Sequence, residues 1–100
     1  MEKIFVVLYN AYEFDDLDYG SPYLIYCSLD PKKAQEKFIK CVQMQKKSFE
    51  QYVRDNKEWV DSHQEDYQIY IDTENEFEIW FGKWAYYYKL TSYDLDKDLR

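Results

Sequence analysis

Ile4 to Tyr9 is an unbroken apolar run of β-branched and aromatic side chains, ended by Asn10. A run this short does not make an amphipathic helix, so it predicts a strand buried on both faces and set inside a sheet. Tyr23 to Cys27 is a second such run, announced by the turn residues Gly20, Ser21 and Pro22. The stretch between them holds Tyr12, Glu13, Phe14, Asp15, Asp16, Leu17, Asp18 and Tyr19. It reads as a loop long enough, and rich enough in charge and rings, to be functional.

A helix follows. Asp30 is suited to accept from free backbone N–H groups as N-cap, and Pro31 fits the first turn, where no donor is needed. Beyond it Ala34, Phe38, Cys41 or Val42, Gln45, Phe49, Tyr52 or Val53, Asn56 and Val60 recur at three- and four-residue steps. That spacing predicts a helix over 31–60 with one apolar face, interrupted at Gln45 and Asn56. Such a helix would be roughly 45 Å long, more than a compact chain of this length spans, and predicts a bend or break near Gln43 to Ser48.

After Ser62 and His63 the period changes to alternation. Tyr67, Ile69 and Ile71 fall on one side of a strand and Gln68, Tyr70 and Asp72 on the other; Phe77, Ile79 and Phe81 oppose Glu76, Glu78 and Trp80 in the next. Thr73, Glu74 and Asn75 predict a short hairpin loop with Asn75 left-handed. Gly82-Lys83 predicts a type II′ turn. Trp84 to Tyr93 predicts a last strand with Trp84, Tyr86, Tyr88 and Leu90 on one face, followed by a frayed tail. The sum is a two-layer α+β fold: one antiparallel or mixed sheet of about five strands covered by one long, bent helix, in the order β-β-α-β-β-β.

Composition narrows the class. One hundred residues predict a single domain, 1–100, and 46% hydrophobic content with 21% aromatics gives it enough apolar surface for one core. Cys27 and Cys41 match no zinc or redox spacing and fall at apolar positions, which predicts buried thiols in a reducing cytoplasm. No signal-peptide pattern opens the chain and no apolar run approaches a membrane span, so no membrane role is expected.

Charge is segregated. Between Lys57 and Lys83 stand Glu58, Asp61, Glu65, Asp66, Asp72, Glu74, Glu76 and Glu78 with no lysine or arginine, while basic residues crowd into 32–57. With a net charge of −7, the acidic stretch repels phosphate and attracts a basic partner, and direct nucleic-acid binding is not expected. The single histidine, His63, has no evident orienting partner. Gly20 and Gly82 stand alone, and Asp15, Asp16 and Asp18 lack the spacing of a calcium loop. No catalytic residue, metal or cofactor is therefore expected.

Protein recognition remains, since tyrosine and tryptophan combine large contact area with low side-chain entropy. Twelve tyrosines exceed what one small core hides. The expected partner-binding residues are Tyr12, Glu13, Phe14, Asp15, Asp16, Asp18, Tyr19, Tyr70, Asp72, Glu74, Glu76, Glu78 and Trp80, with Tyr87 a further exposed ring.

The opening Lys3-Ile4-Phe5-Val6-Val7-Leu8-Tyr9, the acidic tyrosine stretch, the second strand leading into Ser28-Leu29-Asp30-Pro31-Lys32-Lys33-Ala34 and the closing Tyr88-Lys89-Leu90-Thr91-Ser92-Tyr93-Asp94-Leu95-Asp96 resemble a family of small uncharacterised bacterial and phage proteins. These are built as two strands, a helix and a returning strand, and residues 43–81 depart from that pattern as an insertion. At the level of class the chain also resembles acidic phage-encoded anti-CRISPR inhibitors. That resemblance implies a non-catalytic inhibitor in a bacterial host's cytoplasm, blocking the nucleic-acid groove of a basic defence nuclease such as a CRISPR effector by DNA mimicry. An immunity protein or antitoxin against a basic toxin, and a small-ligand or single-strand nucleic-acid binder using an aromatic sheet face, are the alternatives. Homodimerisation through a free sheet edge is left open.

Overall fold

The computed structural model describes residues 2–13 and 23–95. Its sheet has five antiparallel strands: β1 (Lys3–Glu13), β2 (Tyr23–Ser28), β3 (Tyr67–Asp72), β4 (Glu76–Phe81) and β5 (Trp84–Asp94), in the spatial order β2-β1-β5-β4-β3. Two helices, α1 (Pro31–Asp55) and α2 (Lys57–Ser62), and a 3₁₀ turn over Gln64–Asp66 join β2 to β3. The α+β class and the order β-β-α-β-β-β are those the periodicity predicts.

β1 runs four residues past Tyr9, because the equally long β5 pairs with it from Lys3↔Asp94 to Glu13↔Trp84. Tyr12 and Glu13 therefore stand on a strand and not in a loop. Of the Ile4 to Tyr9 run only Val6 and Val7 are buried: Val7 faces α1 in the core, and Val6 lies on the other face, which carries no helix among the described residues.

Asp30 caps α1 as expected, its Oδ1 accepting from Lys32 N at 2.9 Å, with Pro31 opening the helix. Ala34, Phe38 and Val42 face the sheet and are buried. The interruption at Gln45 is satisfied inside the layer interface: Tyr88 Oη donates to Gln45 Oε1 at 3.0 Å. The helix does not break near Gln43 to Ser48. It runs 25 residues and stops at Asn56, whose backbone N–H and side-chain amide both donate to Tyr52 O, at 2.9 and 3.1 Å. A helix of that length measures about 38 Å. It is accommodated because the molecule is an elongated slab of 52 × 29 × 17 Å with a radius of gyration of 15.7 Å, against about 13 Å for a compact chain of this length.

The core is the seam between α1 and the sheet: Val7, Phe38, Val42, Phe77 and Ile79, with Tyr26, Phe49, Tyr86, Tyr88 and Leu90 packed against it. Gly82 has φ +70° and among the described residues no non-glycine residue has positive φ, so Lys83 is ordinary and the β4–β5 turn has the type II′ pattern. For the same reason Asn75 is not left-handed. The β3–β4 loop is instead held by Thr73, whose N–H donates to Glu76 O at 2.8 Å and whose Oγ1 accepts from Glu76 N at 3.0 Å.

Cys27 is exposed and Cys41 half-buried, contrary to the buried pair expected. Cys27 lies opposite Val6 on the edge strand β2, on the face without a helix. Burial pushes the Cys41 thiol above its ordinary pKa, against the pull of Lys37. Among the described residues no helix is long and apolar enough to cross a membrane.

Candidate partner-binding face

Strand alternation divides the sheet's side chains between two faces. Val7, Tyr86, Tyr88, Phe77 and Ile79 take the helix side. The pairing registers Tyr12↔Ala85↔Trp80 and Asn10↔Tyr87↔Glu78 bring Tyr12, Trp80, Tyr87 and Glu78 together on the opposite side, with Glu76 one rung away.

There the donors of the rings converge on the carboxylates. Tyr12 Oη donates to Glu78 Oε1 at 2.7 Å and Trp80 Nε1 donates to Glu78 Oε2 at 3.1 Å, so each oxygen of this 8% exposed carboxylate has its own donor. Tyr87 Oη donates to Glu76 Oε2 at 2.5 Å. Burial, then the hydrogen bond to Glu76 and the charges of Glu76 and Glu78, holds the Tyr87 phenol well above its ordinary pKa. Tyr70 stacks on Trp80 with ring centroids 4.5 Å apart and planes at 19°, and is 59% exposed. Among the described residues no ammonium or guanidinium lies within ion-pair distance of Glu76 or Glu78.

A bulge places Tyr70 there. The β3–β4 ladder pairs Ile69 with Ile79 but Ile71 with Glu78, leaving Tyr70 as the extra residue. Beyond the bulge the alternation is reversed, so Ile71 joins the helix-free face and Asp72, opposite Phe77, turns to the helix side. Lys46 of α1 meets it, Nζ to Oδ2 at 2.7 Å, with the same ammonium 5.6 Å from the Phe77 ring centroid. Asp72 is therefore ion-paired and exposed on the helix side, correcting the expectation from plain alternation that it shares a face with Gln68 and Tyr70.

Glu13 is also set apart. It opposes Trp84, and its Oε1 is 3.4 Å from Lys83 Nζ. Glu74 is exposed in the β3–β4 loop, away from the ring cluster. The structure thus brings together Tyr12, Tyr70, Glu76, Glu78 and Trp80, and separates Glu13, Asp72 and Glu74. Phe14, Asp15, Asp16, Asp18 and Tyr19 lie outside the described residues.

Tyr87 is a full member of the cluster, legible from its alternation with Ala85 and Lys89. The exposed carboxylates Asp61 and Glu65 are a further addition: with Ser62, Gln64, Tyr67 and Gln68 they line a shallow cleft beside β3. Next to it Trp59 Nε1 donates to Tyr67 Oη at 3.0 Å. His63 stacks on Trp59 at 3.9 Å with Nδ1 2.9 Å from Trp59 O, so the histidine is part of a ring stack. Among the described residues no group of three or more His, Cys, Asp or Glu is arranged to hold a metal ion.

No family model, no curated protein and no solved structure matches the chain.

Proposed function

We propose that this is a non-catalytic binding protein that inhibits a basic nucleic-acid-binding partner, of the anti-CRISPR type, by laying its helix-free sheet face on the cationic groove through which a defence nuclease holds nucleic acid. The observation that carries the reading is the exposed Tyr70 ring stacked on Trp80 next to Glu78, with the partly exposed Glu76 further along β4 opposite Lys89, and no cation of the described residues within ion-pair distance of either carboxylate. Arginines of the partner find on this face a ring to stack on, Tyr70, and a partly exposed carboxylate to pair with, Glu76. Because Tyr12, Trp80 and Tyr87 fix the carboxylates in advance, little side-chain freedom remains to be lost on binding. Competition with nucleic acid then comes from occupying arginines one by one, not from a continuous row of carboxylates imitating phosphates, since Glu13 and Asp72 are already ion-paired and Glu78 is buried.

The test is DNA binding and cleavage by a panel of bacterial RNA-guided nucleases, with wild-type chain, Tyr70→Ala and Glu76→Lys. The reading predicts inhibition of at least one nuclease and a loss of about tenfold or more in each variant, the size of a truncated hot spot. Equal inhibition by both variants rejects the face. Tight binding of single-stranded oligonucleotides by the chain itself, at physiological salt, rejects the class.

A further inference from the structure

We propose that β2 is a self-association edge, through which two copies of this chain join antiparallel across a two-fold axis and continue one sheet into the other. The sheet has two edges, and each presents a row of backbone N–H and C=O groups without a ladder partner among the described residues. Native edges are protected by charge, bulges or proline. Both edge strands are bulged, β2 at Ile25 and β3 at Tyr70, but β3 also ends in Asp72 and follows the exposed Glu65 and Asp66. β2 has no charged residue and no proline from Tyr23 to Ser28. Its side chains are those of a contact surface, with Tyr23 67%, Leu24 58% and Ile25 38% exposed, followed by Leu29 at 60%.

Charge selects a second copy as the occupant. The chain carries −7, so most surfaces of one copy repel most surfaces of another, yet Tyr19 to Leu29 is the longest stretch of the sequence without a charged residue. Pairing β2 with β2 joins two strands that carry no charged residue, whereas β3 carries Asp72 at its end. An antiparallel edge is also self-complementary under a two-fold axis, so one strand supplies both halves and the assembly closes at two.

The interface is small. Six residues span about 20 Å, and the exposed parts of Tyr23, Leu24, Ile25 and Leu29 with the strand backbone bury on the order of 400 Å² per copy, about half of a standard interface. The β1–β2 ladder shifts register between Val7 and Leu8, which interrupts the regular stretch that β2 offers. The dimer is therefore weak. It stands independently of the proposed function, because β2 is at the opposite edge of the sheet from Tyr70.

Sedimentation of the full chain from micromolar to millimolar concentration tests this, with reductant throughout so that a disulfide through Cys27 does not mimic the contact. The average mass is expected to rise toward twice the monomer and stop there, more readily at high salt, which screens the like net charges. Leu24→Lys and Ile25→Lys, both at exposed positions, are expected to remain monomeric with unchanged circular dichroism. Amide exchange across Tyr23–Ser28 is expected to slow with concentration in the wild type alone. A wild type that stays monomeric at millimolar concentration, growth beyond the dimer, or dimerisation undiminished in both lysine variants overturns the proposal.

Discussion

Tyr12→Phe removes a phenol hydroxyl at the centre of the helix-free face. The ring stays and the Oη donor to Glu78 Oε1, at 2.7 Å, is lost. Glu78 is 8% exposed and keeps one donor, Trp80 Nε1 at 3.1 Å. A hydrogen bond to a charged group contributes about 1.5–3 kcal/mol, and the remaining access to water brings the expected loss to the lower part of that range, about 1.5–2 kcal/mol. For a domain of this size that lowers Tm by roughly 6–16 °C. Urea and thermal unfolding followed by tryptophan fluorescence measure it. Trp80→Phe removes the second donor, and because both donors serve one carboxylate the double variant should depart from additivity. A Tyr12→Phe protein within about 0.5 kcal/mol of wild type would refute the reasoning, since it would mean that the carboxylate does not depend on that phenol.

Phe77 is fully buried in the seam between α1 and β4, so Phe77→Ala should cost about 3–5 kcal/mol, a large part of a total near 5–15; a urea midpoint close to wild type would contradict the core assignment. Lys46→Ala breaks the pair with Asp72, but both side chains are more than a third exposed, so the expected change is under about 1 kcal/mol by the same assay. The phenols of Tyr88, Tyr87 and Tyr9 are raised above their ordinary pKa, chiefly by burial. Above about pH 10 the unfolded chain releases phenol protons that the fold retains, so stability is intact below that pH and falls as pH rises beyond it. Tyr88→Phe should reduce that alkaline fall, compared by urea midpoints at about pH 8 and about pH 11; parallel curves for wild type and variant would count against a buried, neutral Tyr88.

The elements with clean periodicity were legible in the chain. Alternation in Tyr67–Ile69, Phe77–Phe81 and Trp84–Leu90 assigned faces that the ladders bear out, and Asp30-Pro31 marked the start of α1. Three features were not legible, each for a physical reason. The β3 bulge is set by the ladder with β4, and one unpaired residue was enough to reverse Ile71 and Asp72. The extension of β1 to Glu13 depends on the length of β5, a distant segment. The unbroken α1 is permitted by an elongated slab, while a compact shape had implied a bend or break. For the site, alternation grouped Glu76, Glu78 and Trp80 correctly. It carried no information on whether those carboxylates were free, buried or paired, because Lys46, Lys83, Tyr12 and Tyr87 reach them or their neighbours across strands and layers.

The account depends on the helix-free face around Tyr70 being the surface that meets a partner. Replacing Tyr70 by a photo-crosslinking aromatic residue, with a second protein carrying it at the exposed Lys47 of α1, tests this directly in extract of a bacterial host. Position 70 is expected to crosslink a basic nucleic-acid-binding protein, in a yield that falls with added salt and with Glu76→Lys. Crosslinks from the helix position alone, or a partner at position 70 that is acidic and indifferent to salt, would contradict it.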